Sequence, residues 1–283
     1  MVDGFGCSLR CDDDLPPTIT VSPMLQLQPC RHDSLCYGYR WRILDETALA
    51  RGVAWILVGQ YTHANSIIRR ESVKAPFVVA TAKQQAIRRL KHTTSDTAIA
   101  HRDGWLFQHI SWIAAIHDSA EPVAASAPHQ QPASKGFDVV LIPLAGKRRA
   151  KLEIIIGEDK ATTDPRSMIR DHVWPEIRKL EAGERDADVQ SSLTLLIAAA
   201  GITNKEELST AAFWKRQKRY RVSITVSPDH NGDAERRELF DGYDVQVPGA
   251  VVERRKAETL LLKDLRGWME NFSAKVIAEI TKL

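Results

Sequence analysis

The chain has 283 residues, more than the ~100–150 usual for one domain, so one elaborated domain or two small ones fit. Its 43% hydrophobic and 27% charged residues are the composition of a soluble globular protein. No apolar run approaches the ~18 residues of a membrane span and no basic-then-apolar leader opens the sequence, so a cytoplasmic protein with no membrane partner is expected.

A net charge of +3 does not by itself announce a polyanion binder. The basic residues cluster, however, at Lys147-Arg148-Arg149-Lys151, at Lys215-Arg216-Lys218-Arg219-Arg221 and at Arg254-Arg255-Lys256. Phosphate-binding surfaces depend on local clusters of this kind more than on total charge.

In chain order, Met1 to about Leu35 reads as irregular, broken by Asp12-Asp13-Asp14, Pro16-Pro17, Pro23 and Pro29. All four cysteines lie near this start, Cys7, Cys11, Cys30 and Cys36, with His32 between the last two. The spacing admits a zinc site, but neither pair has the tight two-residue gap, and unpaired thiols are the simpler expectation. Tyr37 to Ile43 alternates as a half-buried strand, and Asp45 is placed to cap a helix bearing Leu49, Val53, Ile56, Leu57 and Tyr61 on one stripe. After Pro76 comes a short apolar run, Phe77-Val78-Val79, and then a helix through Gln84, Ile87 and Leu90. Residues 1–94 therefore read as an N-terminal accessory α/β region, and residues 95–283 as the domain that carries chemistry.

Asp96 to Ile116 is a strongly apolar helical stripe that Gln108 and His109 interrupt. Asp118 to Lys135 is an Ala/Pro/Ser-rich loop with a short strand near Val123 to Ser126, and it carries His129, Gln130 and Gln131. Gly136 to Asp164 follows as two strands, Phe137 to Pro143 and Leu152 to Gly157, around the breaker Ala145-Gly146-Lys147-Arg148-Arg149. Asp138 opens the first strand; Glu158 and Lys160 close the second. Strand side chains alternate, so Glu158 and Lys160 share a face and Asp159 takes the other. Two carboxylates and an ammonium at the end of an Ile-Ile-Ile strand are costly to bury unless they pair or hold a cation. Oxygen ligands of this type suit magnesium, and a lysine beside that ion can orient or deprotonate a water or offset phosphate charge.

Beyond this, Thr163-Asp164-Pro165 starts a helix with Ile169, Val173, Ile177 and Leu180 on its stripe, kinked or split by Pro175. Arg166, Arg170, Arg178 and Lys179 lie off that stripe. Gly183 ends it, and a second helix runs from Asp186 or Asp188 through Leu193 and Ile197 to Gly201, with Gln190 in its first turn. Tyr220 to Ser227 alternates as a last core strand, Asp244 to Val252 reads as an added edge strand, and Ala257 to Leu283 reads as one long C-terminal helix. There is no Gly-rich phosphate loop, no G-x-S-x-G and no H-E-x-x-H.

Asp138 followed by Glu158-Asp159-Lys160 at the end of the next strand resembles the D…(D/E)xK signature of the PD-(D/E)XK (restriction-endonuclease-like) nuclease superfamily. The resemblance spans roughly Thr97 to Ser227. It implies an α/β fold with a mixed central sheet flanked by helices, built on an α-β-β-β-α-β core. It also implies Mg²⁺-dependent (or Mn²⁺-dependent) cleavage of nucleic acid, DNA favoured over RNA. In that reading Asp138, Glu158 and the carbonyl of Asp159 hold the metal, Lys160 positions the attacking water, and Gln108 or Gln190 orients water or phosphate. The superfamily's helix before the first metal strand often sends Glu or His to the site, a place filled here by Gln108 or His109. Its RecB-like branch carries Q-x-x-x-Y, of which only Gln190 is matched, Thr194 standing where the tyrosine would. Many bacterial defence nucleases share the motif, so an anti-phage effector gated by a protein partner or by homo-oligomerisation is one implied role. The alternative is a non-catalytic nucleic-acid-binding or scaffold subunit on the same fold.

Overall fold

The structure is a computed structural model that describes residues 23–118, 123–143, 153–201 and 218–283. Cys7, Cys11, the Ala145–Lys151 turn, Lys215 and Arg216 lie outside the described residues. The fold is α/β. Among the described residues seven strands form one mixed sheet: β1 (Leu25–His32), β2 (Cys36–Ile43), β3 (Val123–Ala125), β4 (Val139–Pro143), β5 (Ile154–Lys160), β6 (Lys218–Val226) and β7 (Arg255–Leu261). Their spatial order is β1-β2-β7-β6-β5-β4-β3. Strands β2, β7, β6 and β5 run parallel, while β1 at one edge and β4 and β3 at the other pair antiparallel.

Period-2 alternation sorts the apolar residues onto two faces. Trp41, Val139, Leu141 and Leu260 turn toward α1 (Glu46–Leu57), α4 (Asp96–Asp118) and the C-terminal helix, with α2 (Tyr61–Ile68) and α3 (Ala80–Leu90) packed alongside. Val140, Ile142, Ile156, Val222 and Ile224 turn the other way. There they meet α5 (Pro165–Met168), α6 (Trp174–Ala182), α7 (Asp186–Ala199) and the short helices α8 (Asp233–Leu239) and α9 (Tyr243–Gln246). Helix α4 is buried nearly all round, from Trp105 to Ile116, because it lies between the sheet and α1, α2 and the last helix. Among the described residues no helix is long and apolar enough to cross a membrane.

Local signals account for the helix starts. Asp45 accepts from Ala48 N–H at 2.9 Å, and Asp164, ahead of Pro165, accepts from Ser167 N–H at 3.2 Å. Pro175 cannot donate to the ladder, and the backbone widens into a π-helical turn, Ile169–Val173, just before it.

Three expectations are corrected. The C-terminal helix, α10, begins at Leu265, where Asp264 accepts from Gly267 N–H at 3.1 Å; Ala257 to Leu261 belongs to β7. The segment Ala257-Glu258-Thr259-Leu260-Leu261 is buried on both faces with no apolar alternation and is rich in helix formers, so it reads equally well as helix. The segment 244–252 holds α9 and a coil in place of an edge strand, and β6 is followed by β7 instead of being last. Across residue 94, β2 pairs with β7, and α1 packs on α10.

Candidate active site

The antiparallel register of β4 and β5 places Val139 opposite Gly157, so the next step outward brings Asp138 opposite Glu158. Gly157 permits this approach, since a Cβ there would lie 2.3 Å from Val139 Cγ1. Asp138 is 8% exposed, and its Oδ2 accepts the Asp159 N–H at 2.7 Å. Its Oδ1 accepts from Gln108 Nε2, delivered by α4. Glu158 Oε1 and Lys160 Nζ pair at 2.5 Å, both side chains partly open to solvent. Asp138, Glu158 and Lys160 are thus drawn to one end of the sheet, with Gln108 against them.

The other expected residues divide. His109 is fully buried, and its Nδ1 lies 2.5 Å from the Trp105 carbonyl on its own helix, so of the pair only Gln108 reaches Asp138. Burial holds the His109 imidazole down to about 4, which leaves it neutral. Gln190 is exposed on α7 and bonds none of Asp138, Glu158 and Lys160. Asp159 turns its carboxylate to the opposite face, where Oδ1 accepts from Ser111 Oγ at 2.5 Å and lies 3.5 Å from Arg221. As a metal ligand it therefore has only its carbonyl to offer, which shares the β4-facing edge with the N–H that Asp138 holds. His129, on the loop ahead of β4, lays its Nε2 against Gly136, 3.3 Å from where a Cβ would be. Gly136 has φ +132, a conformation glycine adopts freely.

The electrostatics express the crowding. Burial, then the Glu158 and Asp159 charges, push the Asp138 carboxyl well above its usual value, against the pull of Lys160 and of the Asp159 N–H. Asp159 is pushed up to about 6, by burial first, with Arg221 and Ser111 opposing. For Lys160 burial disfavours the charge, but Glu158 and Asp138 overcome it and raise the pKa, so the side chain is an ammonium. It donates hydrogen bonds and does not take up a proton.

Among the described residues no three His, Cys, Asp or Glu side chains converge as a metal site. Two carboxylates and a main-chain carbonyl remain, an all-oxygen set suited to a hard cation that keeps several waters and unsuited to zinc. The crowding fits a cation too, since a positive charge there would offset the Glu158 and Asp159 charges that add to burial in raising the Asp138 pKa. The thiols Cys30 and Cys36 are free.

A buried ionic network went unread in the sequence. Arg221, 1% exposed, donates to Glu258 at 2.7 Å, to Ser111 Oγ at 2.8 Å and to the Ser111 carbonyl at 3.1 Å. Lys256 bridges Glu258, at 3.1 Å, to Asp118 at the end of α4. The visible signal was an arginine on a strand whose neighbours are apolar. The described basic residues of two clusters are likewise drawn into pairs. Arg254 pairs with Glu181 at 2.6 Å, Arg255 is buried against the carbonyls of Ser34, Leu35 and Val247, and Lys256 is in the network. Lys218 is buried on Asp186, and Arg219 pairs with Glu153 at 2.6 Å. These cations serve internal partners. No model of a known protein family matches the chain, and comparison with curated proteins and with solved structures gave no match.

Proposed function

We propose that the chain is a Mg²⁺- or Mn²⁺-dependent nuclease of the PD-(D/E)XK type, with DNA as the favoured substrate. The observation that carries the reading is the cross-strand meeting of Asp138 with Glu158 and Lys160, backed by Gln108 from α4. The succession α4, β3, β4, β5, α5/α6, β6 supports it, being the α-β-β-β-α-β order that such a core requires.

Asp138 and Glu158 would hold the ion, with the Asp159 carbonyl as a further oxygen. Bound there, the ion would supply Lewis acidity toward the scissile phosphate and lower the pKa of an attacking water. Gln108 and the Asp159 N–H each donate to one oxygen of Asp138 and so fix its rotamer. Lys160, an ammonium, donates to the attacking water or to a phosphate oxygen and offsets charge that develops in the transition state. Since the carboxylates bind metal when ionised, activity falls as pH is lowered.

The test is incubation of the wild type and of Glu158→Ala/Lys160→Ala with plasmid, linear and single-stranded substrates, in Mg²⁺ and in EDTA. Cleavage by the wild type in Mg²⁺ alone, lost in the double variant, is the expected result. Cleavage indifferent to both EDTA and the substitutions would move the chemistry elsewhere. Substrate binding without cleavage in any condition would favour the non-catalytic subunit.

A further inference from the structure

A second polar site lies at the far edge of the sheet. Between the β1–β2 hairpin and α8 opens a cavity of roughly 520 Å³, lined by Arg31, His32, Asp33, Arg40, Asp233 and Arg237 among others. Arg236 stands behind it, 0% exposed. Traced through the register, Glu158 lies level with Val222, Ala257, Gly38 and Cys30, and Lys160 lies level with Ile224, Thr259, Arg40 and Gln28. The two sites therefore stand at the same height of the sheet, separated across it by three to four strand spacings or ~14–19 Å.

The region is short of negative charge. Arg31 and Arg237 have no carboxylate partner among the described residues. Arg40 pairs with Asp233 at 2.5 Å, yet its Nε is buried with no hydrogen-bond partner. Arg236 also lacks a carboxylate among the described residues: it donates to His32 Nε2 at 2.6 Å, to the Ala257 carbonyl at 2.6 Å and to Thr259 Oγ1 at 3.4 Å. A guanidinium buried without a counter-ion is costly, and a bound anion nearby relieves that cost.

His32 adds a directed donor. A guanidinium has no acceptor, so its contact with Nε2 forces the His32 proton onto Nδ1. His32 is 6% exposed, and its Nδ1–H has no hydrogen-bond partner among the described residues. Burial, then the Arg236 charge, lower the His32 pKa, consistent with a neutral ring that donates through Nδ1. The lining thus combines planar guanidinium forks with an imidazole N–H, donor geometry that matches a phosphate. Among the described residues no Phe, Tyr or Trp lines it to offer a ring on which a nucleobase would stack.

We propose that this cavity binds a small phosphate ester, gripped by its phosphate between Arg31, Arg40, Arg237 and the Nδ1–H of His32. Asp233 is its built-in competitor, occupying Arg40 until the ligand arrives.

Isothermal titration of the full chain with inorganic pyrophosphate tests this independently of the nuclease reading. One saturable site is expected, weakened about tenfold or more by Arg31→Ala or Arg237→Ala. Both residues are exposed, so the unliganded melting temperature should not move. Asp233→Asn should bind more tightly, because it removes the competitor, and Lys160→Ala should bind as the wild type does. The proposal is overturned if the wild type does not bind millimolar pyrophosphate. It also fails if the arginine variants bind equally well, or if Lys160→Ala abolishes binding. A single-stranded oligonucleotide that binds with the same arginine dependence where pyrophosphate does not would assign the cavity to nucleic acid and likewise overturn it.

Discussion

Asp138 is a carboxylate that the fold holds in conflict. Both of its oxygens accept hydrogen bonds, from Gln108 and from the Asp159 N–H, which favours the anion. Burial beside Glu158 and Asp159 opposes it more strongly, and the pKa rises above its ordinary 3.8. A raised carboxyl pKa means that the folded state loses stability as pH climbs from about 4 through the folded-state value. In Asp138→Asn that loss disappears. The Asn oxygen still accepts from Asp159, and the Gln108 amide turns over to accept from the new NH₂. In EDTA the variant should match the wild type near pH 4 and exceed it increasingly as the pH rises toward neutral. Calorimetry across that range measures the difference, and parallel profiles would show that Asp138 is not the strained group. Mg²⁺ should raise the melting temperature of the wild type and leave that of the variant unchanged, while the variant loses cleavage.

At the scale of elements, α4 is the part that makes the site. It sends Gln108 to Asp138, Ser111 to Asp159 and Arg221, and Asp118 to Lys256. Successive polar residues along one helix thus clamp it to β5, β6 and β7 through charges excluded from water. Arg221→Met would leave Glu258 and Asp159 buried without their main counter-charge, at a cost of about 3–5 kcal/mol. Arg221→Met/Glu258→Leu removes both sides of the strongest pair and should be less destabilising than Arg221→Met alone. Urea denaturation of the two variants decides this; additive losses would mean that the pair acts independently. Because Ser111 also holds Asp159, the single variant should lower cleavage beyond its effect on folded fraction.

At the scale of the whole molecule, the first strands and the last are one structure. Strand β2 lies against β7, the Arg255 guanidinium binds the carbonyls of Ser34 and Leu35 in the β1–β2 turn, and Arg51 of α1 pairs with Glu279 of α10 at 3.1 Å. Trp268 Nε1 also donates to Glu46 at 3.0 Å. The connection from Lys91 to Ser95 is exposed and is therefore a site for proteolytic nicking. A nick there should leave two fragments that co-elute and melt together in a single transition, separating only in denaturant. Fragments that part under native conditions would place a domain boundary near residue 94.

What the sequence determined by itself was local. Aspartates before apolar helices marked the caps at Asp45 and Asp164, Pro165 and Pro175 marked a helix start and its break, and alternation placed Glu158 and Lys160 on the face opposite Asp159. These are short-range effects of hydrogen bonding, sterics and the strand period, and they need no knowledge of the remaining chain. The tertiary structure alone decided where the charges go. Arg221 finds Ser111 from 110 residues away, and the basic runs at 218–221 and 254–256 are turned inward onto carboxylates and carbonyls contributed by other elements. It also decided that Ala257 to Leu261 is a strand, because a segment buried on both faces carries no periodicity of its own and takes its form from β2 and β6 on either side. Pairing across a sheet depends on strand order, and strand order is a property of the whole chain's packing that no local pattern encodes.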